Sequence, residues 1–155
     1  MTNNKNLETP EPQPTGEKMD LKGLTLTQVQ QLVTKATEAK QHSYSPYSKF
    51  RVGAVVMTTD GEFFTGCNVE CAAYGGTICA ERVAIPKAIS EGRRDLVAVG
   101  VNTDSEVCTS PCGSCRQFIR EFGRHLVVVC SNVRGRYKVY TLDELLPDSF
   151  GPEQL

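Results

Sequence analysis

The sequence predicts an α/β fold, a three-layer α/β/α sandwich with a mixed five-stranded sheet. Three observations carry that expectation. Five short apolar runs, bounded by turn residues, read as strands. Four segments place apolar residues at helical spacing. Their order is helix, hairpin, then helices interleaved with strands, which layers helices over a sheet. With 155 residues the chain has room for one domain with a real core, and no internal repeat is visible.

Residues 1–20 are polar, with Pro10, Pro12 and Pro14 alternating among Glu, Gln and Thr and no aromatic residue. Such a stretch has too little to bury to offset its ordering entropy, so it is expected to be a disordered tail, with residues 21–155 as the folded unit. It carries Glu8, Glu11 and Glu17 and no Arg, the opposite of a mitochondrial transit peptide.

The first helix is announced by Thr25-Leu26-Thr27-Gln28, the spacing of a capping box. Leu26, Val29, Leu32, Val33 and Ala36 then form one apolar stripe to about Ala39. Residues 43–48, with Pro46 and two tyrosines, read as a loop. Residues 51–59 are nearly all apolar at their centre, as in a strand covered on both faces. Asp60-Gly61 predicts a two-residue hairpin turn into a second strand over 62–68.

A loop containing Gly75-Gly76 leads to a helix beginning near Cys79, with Val83, Ala84, Ala88 and Ile89 inward and Gly92 as its stop. Pro86 is expected to kink that helix or lie within its first turns. Residues 96–101 form the third strand. Residues 112–122 form a second core helix with Phe118, Ile119 and Phe122 inward and Gly123 as cap. Two strands, 126–130 and 136–140, are joined by a turn at Arg134-Gly135, and a short helix over 143–146 ends at Pro147.

The hydrophobic fraction of 39% and the charged fraction of 23% are ordinary for a globular protein. A formal net charge of −1 gives no footprint for a nucleic-acid backbone or an anionic membrane. No apolar run approaches the roughly 18 residues of a membrane span. The seven cysteines are an odd number, and no apolar signal segment opens the sequence. A reducing compartment is therefore expected, the cytoplasm, with entry to the nucleus left open. Cys67, Cys71, Cys108 and Cys130 read as small buried hydrophobes.

The remaining cysteines make a constellation. Cys112 and Cys115 stand three apart at a helix start, and Cys79 opens another helix. Three thiolates at helix N-termini, where the backbone dipole favours negative charge, can hold one metal ion. Zinc takes four ligands, so three from the protein leave a position for water or substrate, the arrangement of a catalytic site. Glu81, two residues after the first thiolate, is placed to touch that water without binding metal. A structural zinc would need a fourth protein ligand. Cys71, Cys108 and His125 are available, but none belongs to a second Cys-x-x-Cys pair, and Glu81 would have no task. Arg82 and Arg116 each follow a motif residue and are expected to donate to the ligand sulfurs, moderating their charge.

Cys79-Ala80-Glu81-Arg82 with Pro111-Cys112-Gly113-Ser114-Cys115-Arg116-Gln117 matches the signature of zinc nucleobase deaminases. From about Leu24 to Gly151 the chain resembles the cytidine deaminase family of the small, homotetrameric, three-cysteine type. Tyr47-Ser48-Lys49-Phe50 with Val52-Gly53-Ala54, Gly66-Cys67-Asn68-Val69-Glu70, and Leu145-Leu146-Pro147 through Ser149-Phe150-Gly151 extend the resemblance.

The resemblance implies hydrolytic deamination of free cytidine and deoxycytidine to uridine and deoxyuridine, with release of ammonia, as in pyrimidine salvage. It implies one zinc per subunit, held by Cys79, Cys112 and Cys115, with Glu81 as the proton shuttle. It implies that Phe50 packs on the nucleoside, that Asn68 and Glu70 hold the ribose 3′-hydroxyl, and that the backbone at Ala80 meets the exocyclic end of the base. Tyr74 and Phe150 are implied to reach a neighbouring subunit's pocket, so the partners are a nucleoside and further copies of the chain, with no nucleic-acid polymer and no membrane. Two places depart from the family pattern: Gly75-Gly76, where Pro is common after the tyrosine, and Pro86.

Blasticidin-S deaminase shares the zinc motif, but Asn68-x-Glu70 favours a nucleoside with a free 3′-hydroxyl. A polynucleotide-editing enzyme would need a basic groove and stacking aromatics, and the chain has no Trp. A non-catalytic zinc scaffold would have no use for Glu81. The preference between ribose and deoxyribose is not set by contacts to a hydroxyl that both sugars share.

Overall fold

The computed structural model describes residues 19–155. The expected N-terminal tail, apart from residues 19 and 20, lies outside them.

Helix α1 (Leu26–Lys40) starts on a full capping box: the Thr25 side chain accepts from the Gln28 amide, and the Gln28 side chain accepts from the Thr25 amide. Strands β1 (Val52–Thr58) and β2 (Phe63–Cys67) form the hairpin. A 3₁₀ turn, Tyr74–Gly76, precedes α2 (Glu81–Ser90), followed by β3 (Leu96–Thr103) and α3 (Gly113–Arg120). The chain continues through β4 (Val127–Ser131), β5 (Tyr137–Thr141), α4 (Leu142–Leu145) and a last 3₁₀ turn, Pro152–Gln154.

The five strands lie in the order β2-β1-β3-β4-β5. Only β3 and β4 run parallel; the other neighbouring pairs are antiparallel, so the sheet is mixed as expected. The side-chain period of two separates its faces. Val55, Met57, Ala98, Val127 and Val129 pack onto Val29, Leu32 and Ala36 of α1. Ala54, Val56, Val99, Val101, Val128 and Cys130 pack onto Ala84, Ile85 and Ala88 of α2 and Ile119 of α3. Two apolar layers, one on each face, make the three-layer sandwich. The contact on the α1 side is tight: a Cβ on Gly53 would stand 2.0 Å from the Ala36 carbonyl oxygen.

Both hairpin loops hold three residues, one more than Asp60-Gly61 predicts for the first. The Thr58 amide donates to the Glu62 carbonyl, and the Asn132 amide to the Arg136 carbonyl, leaving 59–61 and 133–135 as loops. In each the third residue, Gly61 or Gly135, has positive φ (84° and 74°). That is the three-residue form, a turn closed by a left-handed glycine, and the same Asx-Gly or Arg-Gly letters serve either length. Pro86 lies well inside α2, beyond its first turn.

The register pairs Val52, at the start of β1, with Thr103, at the end of β3. Parallel β3 and β4 end on the same side, so the loops leaving them and the loop entering β1 converge at one edge. The open edge of a parallel pair is where α/β folds place ligands.

Candidate active site

At that edge the sulfurs of Cys79, Cys112 and Cys115 lie within 4.8 Å of one another. They are the one such metal-holding group of ligand residues among the described residues. Cys112 is the N-cap of α3 and Cys115 sits in its first turn; Cys79 directly precedes Ala80, the N-cap of α2. Both helices thus begin at the cluster, where the positive end of the backbone dipole favours negative charge. Cys115 is buried and Cys112 exposed, so the cluster opens to solvent on one side.

The Cys79 and Cys112 sulfurs are 4.0 Å apart. Tetrahedral zinc, with bonds of about 2.3 Å, separates its sulfurs by about 3.8 Å, so the three residues fit zinc with little movement. Their proton balance also calls for a cation. Hydrogen bonding from Cys115 holds the Cys79 thiol down at about 5, helped by Arg82 and Cys112 against burial. The same hydrogen bond, then burial and the charge of Glu81, pushes the Cys115 thiol far up. A bound divalent cation would favour the thiolate form of both and remove that opposition.

Glu81, the first residue of α2, is 3% exposed. Burial pushes its carboxyl above the usual carboxylate range, and the Cys79 charge adds to the shift. A carboxyl shifted in that direction holds a proton more readily than an exposed one, which suits a group that must return a proton as well as take it. It lines a cavity of about 190 Å³ together with Cys79, Cys112, Ala80, Phe50 and Asn68.

The structure therefore brings six of the expected residues to one cavity. Glu70 and Tyr74 line an adjoining cavity of about 280 Å³, and Thr77 lines both. Phe150 lines neither; it projects 55% exposed from the C-terminal segment. Asn68 ties the loop to the sheet: its Oδ1 accepts from the Val52 amide and the Ser43 hydroxyl, and its Nδ2 donates to the Phe50 carbonyl. Glu70 accepts from the Tyr47 and Ser48 amides and the Ser48 hydroxyl.

The two arginines have different surroundings. Arg82 Nη2 donates to the Cys79 sulfur at 3.9 Å and to the Thr77 carbonyl at 3.4 Å. Arg116 donates to the carbonyls of Pro111 and Leu145 and to the Ser110 hydroxyl, at 2.6–2.8 Å. Sequence reasoning passed over Ser110 and Thr77, which line the cavity. Ser110 abuts the Pro-Cys motif, and that adjacency was the available signal. Arg120 was also missed. It is 2% exposed, bonded to Ser149 and Glu153, and no local pattern marks an arginine as buried.

Residues 26–131 match the model of the cytidine and deoxycytidylate deaminase zinc-binding region. The chain belongs to the cytidine and deoxycytidylate deaminase family. It is 43% identical over 128 residues to the cytidine deaminase of Sporosarcina psychrophila, covering 82% of this chain and 94% of that one. It is 42% identical over 129 residues to a probable cytidine deaminase of Dictyostelium discoideum, covering 83% and 87%. The crystal structure of cytidine deaminase from Burkholderia pseudomallei superposes with a TM-score of 0.76 at 41% identity, over 82% of this chain and all of that one. The cysteine cluster and the zinc-binding region of the family coincide: Cys79, Cys112 and Cys115 all fall within the matched span. Among the described residues no helix is long and apolar enough to cross a membrane.

Proposed function

We propose that this deaminase-family chain hydrolyses free cytidine and deoxycytidine to uridine and deoxyuridine, releasing ammonia, as a cytoplasmic enzyme of pyrimidine salvage. The observation that carries the reading is a cluster of three sulfurs, two of which, those of Cys79 and Cys112, belong to residues that line one cavity with the buried Glu81, Phe50 and Asn68. Zinc held by Cys79, Cys112 and Cys115, one per subunit, supplies Lewis acidity that brings the pKa of water from 15.7 to about 7.

The chain's own residues do the rest. Glu81 accepts one proton from the attacking water and passes it to N3 of the pyrimidine. It then takes the proton of the new C4 hydroxyl and delivers it to the amine, which leaves as ammonia while the C4 carbonyl forms. Its burial raises the carboxyl above the ordinary carboxylate range, which favours its acting as acid as well as base. Phe50 lies against base and sugar, the Ala80 backbone meets the exocyclic end of the base, and Asn68 and Glu70 take the ribose 3′-hydroxyl. Arg82 offsets the negative charge of the thiolates, and Arg116 holds the loop before Cys112.

Residues 21–155 form the catalytic unit in this reading, and the working enzyme is a homotetramer. Tyr44, Tyr47, Val69, Tyr74 and Ile78 are exposed apolar side chains gathered by the Tyr44–Val69 and Val69–Ile78 bridges and by the Tyr47–Tyr74 ring contact. A clustered apolar surface of this kind is suited to burial against another copy. Tyr74 and Phe150 then complete a neighbour's pocket.

The test is deamination of cytidine, deoxycytidine and blasticidin S by purified protein, followed by ultraviolet absorbance, with zinc quantified on the same sample. Turnover of both nucleosides with one zinc per chain is expected. Zinc enclosed by four side chains, or turnover of blasticidin S alone, overturns the proposal.

A further inference from the structure

Glu70 is held by the loop that precedes β1. The amides of Tyr47 and Ser48 both donate to its Oε2, at 2.9 and 3.2 Å, and the Ser48 hydroxyl donates to its Oε1. The Ser48 oxygen in turn accepts from the Phe50 amide at 3.0 Å. Lys49 between them takes a left-handed φ of 58°, and its amide donates to the Ser45 carbonyl at 3.1 Å. A left-handed lysine is an unfavourable conformation that surrounding bonds must impose. The loop is thus folded tightly around one carboxylate.

A carboxylate offers about four lone-pair directions. Three of Glu70's are occupied by loop donors, which leaves one on Oε1, and Glu70 lines a cavity together with Ser48 and Thr77. We infer that Ser48 is a positioning residue: it fixes Glu70 so that a single acceptor faces the sugar, and this makes the site demand a free 3′-hydroxyl. The inference rests on the proposed contact between Glu70 and that hydroxyl. Ser48 also links the two substrate elements, since the same hydroxyl that orients Glu70 anchors the amide of Phe50.

Without the Ser48 hydroxyl, Glu70 has a second free direction on Oε1 and one restraint fewer on its rotation. Its bond to the sugar then loses directional preference, while a nucleoside lacking the 3′-hydroxyl has no such bond to lose. Ser48 is solvent-exposed, so replacing it removes no core packing.

The experiment compares kcat/KM for cytidine and 3′-deoxycytidine, and inhibition by uridine and 3′-deoxyuridine, in the wild type and in Ser48→Ala, Ser48→Thr and Glu70→Ala. Ser48→Ala is expected to lower kcat/KM for cytidine on the order of tenfold. For 3′-deoxycytidine the loss is smaller, because there only the anchoring of the Phe50 amide is removed. The preference for the 3′-hydroxyl thus shrinks, and Ser48→Thr, which keeps an oxygen in place, restores it. The inhibition constants report the same ratio where turnover is too slow to measure.

An equal loss on both nucleosides in Ser48→Ala would mark a general structural role and overturn the inference. If Glu70→Ala abolishes the preference and Ser48→Ala leaves it intact, the Ser48 inference alone falls. A preference intact in Glu70→Ala removes the sugar contact itself, and the inference with it.

Discussion

Gly66 and Ala84 meet backbone to backbone: a Cβ on Gly66 would lie 2.5 Å from the Ala84 amide nitrogen and 2.7 Å from the Ala80 carbonyl oxygen. This contact sets the first turn of α2 directly on β2, and that turn carries Glu81 and follows Cys79. Gly66→Ala must push the helix away, because both obstacles are backbone. A loss of about 1–3 kcal/mol in unfolding free energy is expected, as for other overpacked sites, together with weaker zinc retention. Denaturant titration and metal analysis of the variant check both; unchanged zinc retention would separate the contact from the metal site.

Glu81 is the buried carboxyl beside the sulfurs. Glu81→Gln keeps its volume and removes its proton chemistry. The variant is expected to keep its zinc and fold while kcat falls on the order of 100- to 10,000-fold, the usual range for a lost general acid–base group. Rapid-quench turnover and zinc content on one preparation decide it.

Local signals along the chain were enough for the layers and for the metal cluster. Thr25 and Gln28 form the box their spacing announces, and Cys79, Cys112 and Cys115 meet as the motif requires. What local signals could not convey is which distant group a long side chain finds. Arg116 ends on the Leu145 carbonyl, 29 residues away, and Arg120 is buried under a segment 29 to 33 residues on. Such pairings depend on how α3 packs against the C-terminal segment, and arginine is ordinarily a surface residue. The Ser48–Glu70 bond is of the same kind: 22 residues separate the partners, joined only once the loop folds back.

Arg82 and Arg116 occupy equivalent places after their motifs and are expected to fail differently. Arg82→Gln removes the donor to the Cys79 sulfur, so zinc affinity or activity falls about 10- to 100-fold, as for other partners of metal ligands. Arg116→Gln leaves the Pro111 and Leu145 carbonyls and the Ser110 hydroxyl without their donor, and stability falls by about 2–3 kcal/mol. Competition with a chromophoric chelator and thermal unfolding, run on both variants, separate the two outcomes.

Asp104 gives the fold a pH-dependent clasp behind the Phe50 loop. Lys40, buried to 4% of its side chain, pairs with it at 3.2 Å, and Arg51 at 2.9 Å. Burial raises the Asp104 carboxyl, but hydrogen bonds from Arg51 and Lys40 outweigh it and hold the group below its ordinary value. A depressed carboxyl adds stability that is present above the unfolded value of about 3.9 and is lost as pH falls through the folded one. Asp104→Asn strands the Lys40 charge and is expected to cost about 3 kcal/mol at neutral pH. The gap between variant and wild type should close in urea titrations carried progressively below pH 4; a constant gap would show that charge is not the cause.

Phe150 is held outward by its own chain. Gln117 donates to its carbonyl at 2.9 Å, and Arg120 binds Ser149 and Glu153 on either side of it. The ring is left 55% exposed and lines neither cavity of its own subunit. If it serves a neighbour, then Phe150→Ala and Glu81→Gln disable different sites in a mixed assembly. A site with the intact Glu81 of a Phe150→Ala subunit, facing the intact Phe150 of a Glu81→Gln subunit, is complete. Each variant alone is expected to be nearly inactive, and dissociating and reassembling the two together should recover activity well above their sum. Recovery that fails while light scattering shows mixed oligomers would mean that Phe150 acts within its own subunit or not at all.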